Sequence, residues 1–141
     1  MQNQDAEPRI LRKVGLAHLR DKKILMVRDN KNDKVFLNLG GKVEEGETDI
    51  QCLAREVKEE LEVDLDLDSL EFLGEFEAPA HGKPNARVNI RLYKGDFSGE
   101  PKTTDEIVEF KYMDSSIDPE YLSEISIKQI FPWLKKHDYI D

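Results

Sequence analysis

Residues 40–63 read GGKVEEGETDIQCLAREVKEELEV, and eight of these side chains are Asp or Glu. Like charges on neighbouring helix turns repel, so a stretch this acidic needs an explanation. Thr48 followed by Gln51 is a capping-box pattern and predicts a helix over Thr48 to Glu62. Ile50, Leu53, Ala54, Val57 and Leu61 recur at helical spacing. At about 100° per residue they form a stripe roughly 100° wide, the expected core face. Measured from Ile50, Glu59 falls at about 180°, Glu56 at about 240° and Glu60 at about 280°, all off that stripe. Glu56 and Glu60 are an i,i+4 pair of like charge, which costs an isolated helix about 0.2–0.5 kcal/mol. Hard oxygen ligands converging on one helix face suit Mg²⁺ or Mn²⁺, and such an ion turns repulsion into coordination. The competing reading is a solvated charged face. The loop ahead of the helix favours the ion: Gly40-Gly41 and Gly46 bracket Lys42 to Glu45, and glycine lets backbone approach a ligand closely.

The rest of the chain frames this stretch. The protein has 141 residues, 38% hydrophobic and 36% charged, with a net charge of -9, which suits one domain around one core. Residues 42–64 carry nine acids and three bases, so most of the excess charge sits there. An acidic chain lacks the clustered Lys and Arg that neutralise nucleic acid, although divalent cations can still bridge it to phosphates. The lone cysteine, Cys52, excludes an intrachain disulfide and reads as a small buried residue. It fits a reducing cytosol, and the polar N-terminus lacks the apolar run of a signal peptide. No apolar run approaches a membrane span. The expectation is a cytoplasmic protein with no membrane partner.

Residues 1–8 read as a flexible tail, and 9–141 as the folded domain. Strands are expected over 14–20, 23–30, 34–39, 69–79, 86–97 and 107–114, from their apolar patterning and the polar turns between them. Ser126 to His137 reads as a closing helix that tolerates Pro132 near a kink. Strands interleaved with two helices predict a mixed sheet with helices on its faces. His18, His81 and His137 fit no ligand spacing, and His81 lies in a loop that can border a substrate.

The acidic stretch resembles the signature of the Nudix hydrolases: Gly, five residues, Glu, seven residues, then Arg-Glu-aliphatic-any-Glu-Glu-any-Gly-aliphatic. Here that pattern runs from Gly41 through Glu47 to Arg55, Glu56, Val57, Glu59, Glu60 and Val63. Glu62 stands where the family has Gly, and Leu39 where many members have Pro. The resemblance implies an α/β/α sandwich and a MutT-like, Mg²⁺-dependent enzyme. Its implied reaction is hydrolysis of a nucleoside diphosphate-linked substrate, foremost a nucleoside triphosphate, oxidised forms included, to monophosphate and pyrophosphate. A dinucleoside polyphosphate, ADP-ribose or a nucleotide sugar is the alternative, and a non-catalytic sensor domain a further one. By position, the resemblance makes Glu56, Glu59 and Glu60 metal ligands, with the Gly41 carbonyl beside them. One of these glutamates, or one outside the signature, is then the general base. Arg55 orients the cluster and pairs with Glu47, which serves equally as a charge at the helix N-terminus. A further metal ligand is expected at Glu106, with Glu109 second. Lys42 is placed for a substrate phosphate or for solvent. The family also includes many homodimers.

Overall fold

The computed structural model describes residues 7–80 and 82–141. The loop histidine His81 and residues 1–6 of the expected tail lie outside them. In chain order come β1 (Arg9–Ala17), β2 (Leu19–Arg20), β3 (Lys23–Asp29) and β4 (Leu37–Lys42). Helix α1 (Asp49–Leu61), β5 (Asp64–Leu65), β6 (Glu71–Pro79), β7 (Ala86–Lys94) and β8 (Phe97–Ser98) follow. The chain ends with β9 (Ile107–Met113) and α2 (Phe131–Lys136). The main sheet runs β2-β3-β4-β1-β7-β6, with β9 also paired to β3. Its β1–β7 pair is parallel, and the other pairs are antiparallel. Strands β5 and β8 form a separate short ladder.

Alternation along the strands sends side chains to two cores. In β3, Ile24 and Met26 pack with Ile130, Phe131 and Leu134 of the closing helical segment. Leu25 and Val27 pack on the opposite face with Leu53, Val57 and Leu61 of α1. Each fully buried Leu contributes roughly 1.5–3 kcal/mol. One helix therefore covers each face of a mixed sheet, the α/β/α sandwich expected from the sequence. Pro132 sits in the first turn of α2, directly after a π-helical turn over Ser126–Ile130. Proline brings no N–H to the ladder, and the chain widens just ahead of it. From this turn the Gln129 side chain reaches strand β6, accepting from the Glu77 N–H and donating to its carbonyl.

Two local readings are corrected. Ile50, expected in the core stripe, is 42% exposed. The buried positions of α1 are Cys52, Leu53, Val57, Glu60 and Leu61, which turns the inner face by about 50° toward the acidic side. Gly40 and Gly41, expected in a loop, are residues of β4, paired with Gly15 and Val14. With no side chains on this part of β4, α1 can lean its Glu56–Glu60 side against the strand.

Glu62 ends α1 in the left-handed region (φ 57°, ψ 40°), its N–H donating to the Lys58 carbonyl. A side chain costs roughly 1–2 kcal/mol in that conformation, and glycine's extra freedom when unfolded offsets part of the gain. Glu62→Gly should therefore raise stability by about 1 kcal/mol in urea unfolding. It should leave turnover within a few-fold, because Glu62 is exposed and outside the acidic cluster. A loss of stability would show that the Glu62 side chain contributes a contact of its own.

Candidate active site

Helix α1 carries the site and is fixed at both ends. Both arms of the Thr48–Gln51 capping box are formed, at 3.0 and 3.1 Å. In the first turn, Asp49 receives both ends of the Arg91 guanidinium (2.8 and 2.6 Å) and the Tyr93 hydroxyl (2.9 Å). These bonds hold the Asp49 carboxyl below its ordinary pKa and tie the helix start to β7. At the other end, Lys102 N–H donates to the Leu61 carbonyl and the Thr104 hydroxyl to the Glu60 carbonyl. The same Thr104 hydroxyl accepts from Ile107 N–H, and the Glu106 carbonyl accepts from Asn30 N–H. The turn before β9 is thus stapled both to α1 and to the end of β3, and it presents Glu106 to the helix.

The result is a cluster in which Glu56, Glu60 and Glu106 each offer a carboxylate oxygen, all within 4.8 Å of one another. Glu60 is buried, Glu56 half-buried and Glu106 exposed. Burial pushes the Glu60 carboxyl up to about 9, against the single hydrogen bond it accepts from Gly40 N–H at 2.9 Å. Burial also raises Glu56. These acids lie beside a strand backbone, not in solvent. A Cβ on Gly41 would stand 2.4 Å from the Glu56 carboxyl carbon, so any side chain there would push that carboxylate aside.

Arg55 gathers the neighbouring acids. Its guanidinium donates to Glu47 (2.7 and 3.0 Å), Glu56 (2.7 Å), Glu59 (3.3 Å) and the Lys42 carbonyl (3.1 Å). Charge-assisted bonds of this kind hold a carboxylate ionised, and the Arg55 bond is the main reason Glu47 falls to about 2. Glu47 in addition accepts from Glu44 N–H. Cys52 lies behind this clamp. Burial pushes its thiol up to about 12, and it donates weakly to the Gly41 and Lys42 carbonyls.

The structure brings Glu56, Glu60 and Glu106 together at a cleft of about 790 Å³ that Gly41 and Lys42 also line. Glu59 points to the Arg55 side, its side chain 49% exposed. Glu109, the second choice for a late acid, pairs with Arg28 at 3.0 Å. Sequence reasoning did not find Lys13, Asn38, Asp49 or Arg91. Lys13 and Asn38 enter the cleft from β1 and β4, and burial lowers the Lys13 amine's affinity for its proton. Their strand positions carry no spacing signal. Asp49 and Arg91 are 42 residues apart, and only the folded register joins them.

A capped helix thus delivers acids to a glycine-lined cleft inside an α/β/α sandwich, an arrangement suited to holding a hard cation beside phosphates. The chain belongs to the NUDIX family: the family model described as NUDIX domain matches residues 10–134. A comparison with curated proteins finds no match. Among solved structures the chain is similar to the E. coli ORF135 protein, at 22% identity and a TM-score of 0.71, over 95% of this chain and 96% of that one. It is similar to a MutT NUDIX hydrolase from Burkholderia pseudomallei, at 22% identity and a TM-score of 0.69, over 86% of this chain and 98% of that one. A UDP-X diphosphatase shares the fold at 19% identity and a TM-score of 0.70, over 98% of this chain and 66% of that one. Among the described residues no helix is long and apolar enough to cross a membrane.

Proposed function

We propose that this Nudix hydrolase cleaves a pyrophosphate bond in a small nucleotide with the help of Mg²⁺, which Mn²⁺ can replace. The leading substrate is a nucleoside triphosphate, oxidised forms included, converted to the monophosphate and pyrophosphate. The observation that carries this reading is the convergence of Glu56, Glu60 and Glu106 at the cleft. Carboxylate oxygens are the donors a hard cation prefers, and their 4.8 Å spread is close to the roughly 4 Å span of a Mg²⁺ octahedron. The buried Glu60 carboxyl, held by the Gly40 N–H, also gains from a positive partner. Glu56, Glu60 and Glu106 would hold the ion, with Glu59 and the Gly41 carbonyl on its approach. When bound, such an ion polarises phosphoryl oxygens and makes a coordinated water more acidic.

The chain's own groups do the rest. Arg55 fixes Glu47 and Glu56 so that the acidic cluster cannot spread. Lys13 and Lys42 line the same cleft and offer cations to the phosphate chain. A glutamate of the cluster takes the proton of the attacking water. Residues 9–141 form the working domain. It acts in the cytosol on free nucleotides, as a monomer or a homodimer, without nucleic acid or membrane partners.

The test pairs titration calorimetry with MgCl₂ and a substrate panel, read by phosphate release for nucleoside triphosphates and by nucleotide products for ADP-ribose, diadenosine tetraphosphate and UDP-glucose. The expected result is Mg²⁺ uptake, with phosphate released from a triphosphate only when inorganic pyrophosphatase is added. Turnover confined to the sugar or dinucleotide substrates would replace the triphosphate reading. No uptake of Mg²⁺ or Mn²⁺, even with nucleotide present, would overturn the whole proposal.

A further inference from the structure

Beyond the acidic end, the cleft continues over the sheet face that α2 covers, where Val88, Ile90 and Ile125 line it. Asn38 of β4 lies in this part, half-buried, across the ladder from Met26. Its amide nitrogen donates to the Met26 sulfur at 3.7 Å. A thioether only accepts, so the nitrogen must be the end that faces it. That leaves Oδ1, which is buried and has no hydrogen-bond partner among the described residues. A buried acceptor without a donor is destabilising, and a leucine of similar shape would pack there without that cost. Packing on Met26 therefore accounts for the amide nitrogen and leaves the oxygen at position 38 without a role. A ligand gives it one, because rotation about the Cβ–Cγ bond is soft and broad for asparagine and can carry Oδ1 into the cleft.

We infer that Asn38 is a specificity-determining residue. Its carboxamide oxygen accepts a hydrogen bond from an N–H group on a planar ring at the end of the substrate remote from the phosphates. Val88, Ile90 and Ile125 provide the apolar surface for that ring. The favoured substrates are then nucleotides whose base presents an N–H donor, and rings without one are discriminated against. This assignment rests on the nucleotide-hydrolase reading above.

The experiment runs in two stages that separate the two claims. Wild-type protein with Mg²⁺ is first assayed over the nucleotide panel, and absence of turnover there counts against the hydrolase reading itself. The best substrate is then compared with its analogue lacking base N–H groups, for example ATP with purine riboside triphosphate, in wild type and in Asn38→Leu. The expected result is a wild-type preference for the N–H substrate that falls about tenfold in Asn38→Leu. Thermal stability should be equal or higher in the variant, a combination that a merely structural asparagine would not produce. An unchanged preference, or a variant that loses stability, overturns the role of Asn38 and leaves the hydrolase reading standing.

Discussion

Glu60→Gln is expected to lower turnover by about 10²- to 10³-fold while the protein keeps its fold. The magnitude is that of losing one preorganised electrostatic group at a reacting centre. The structure explains why the fold should survive. Glutamine keeps the Oε1 atom that accepts from Gly40 N–H at 2.9 Å, so the strand–helix contact persists. What disappears is an ionisable carboxyl whose charged form burial disfavours, pushing its pKa up to about 9. Without metal, Glu60→Gln should unfold at a higher temperature than wild type, and Mg²⁺ should stabilise it less. Circular dichroism, thermal melts with and without Mg²⁺, and steady-state kinetics check all three statements. Full activity in this variant would remove Glu60 from the site, and a collapsed fold would make its role structural.

Gly40→Ala should be the most damaging small substitution to stability. Gly40 has φ 134°, and a Cβ there would stand 2.0 Å from the Val14 carbonyl oxygen, a backbone atom of the neighbouring strand. Backbone strain of this kind costs about 1–3 kcal/mol, and forced overpacking adds about 1–3 kcal/mol. A loss of about 3 kcal/mol or more follows, enough to consume much of a typical domain's stability. The urea midpoint should fall accordingly, or soluble protein should be lost. The same shift would move the N–H that orients Glu60, so any folded fraction should also be poorly active. A midpoint within error of wild type would mean that β4 can slide away from β1 at little cost.

These outcomes bear on how far the sequence could be read. The helix, its cap and the spacing from Gly41 to Val63 were legible because local spacing sets them. Thr48 and Gln51 face each other in any helix that starts there. The acids were legible as a group, but the orientation of the helix was not. Glu60 reads as lying outside the core stripe, yet it is 6% exposed, because the absence of side chains at Gly40 and Gly41 draws that face inward. Ile50 is displaced outward by the same rotation. Glu106 was accessible as an acid just ahead of a late strand, although only the Thr104 and Asn30 hydrogen bonds explain its placement. Lys13 and Asn38 were beyond reach. Both depend on which strands are neighbours, and a parallel β1–β7 pair cannot be inferred from local patterning.

The Gln129 amide on strand β6 has a consequence for how the protein behaves among copies of itself. Strand β6 ends the main sheet, and an open border of that kind invites another chain to add a strand. At Glu77 the glutamine head group occupies both backbone positions, imitating one peptide unit of the missing neighbour. An incoming chain would find its ladder interrupted at that rung. The side chain thus closes that rung to a further strand, and Gln129→Ala would leave both Glu77 backbone groups open to another copy.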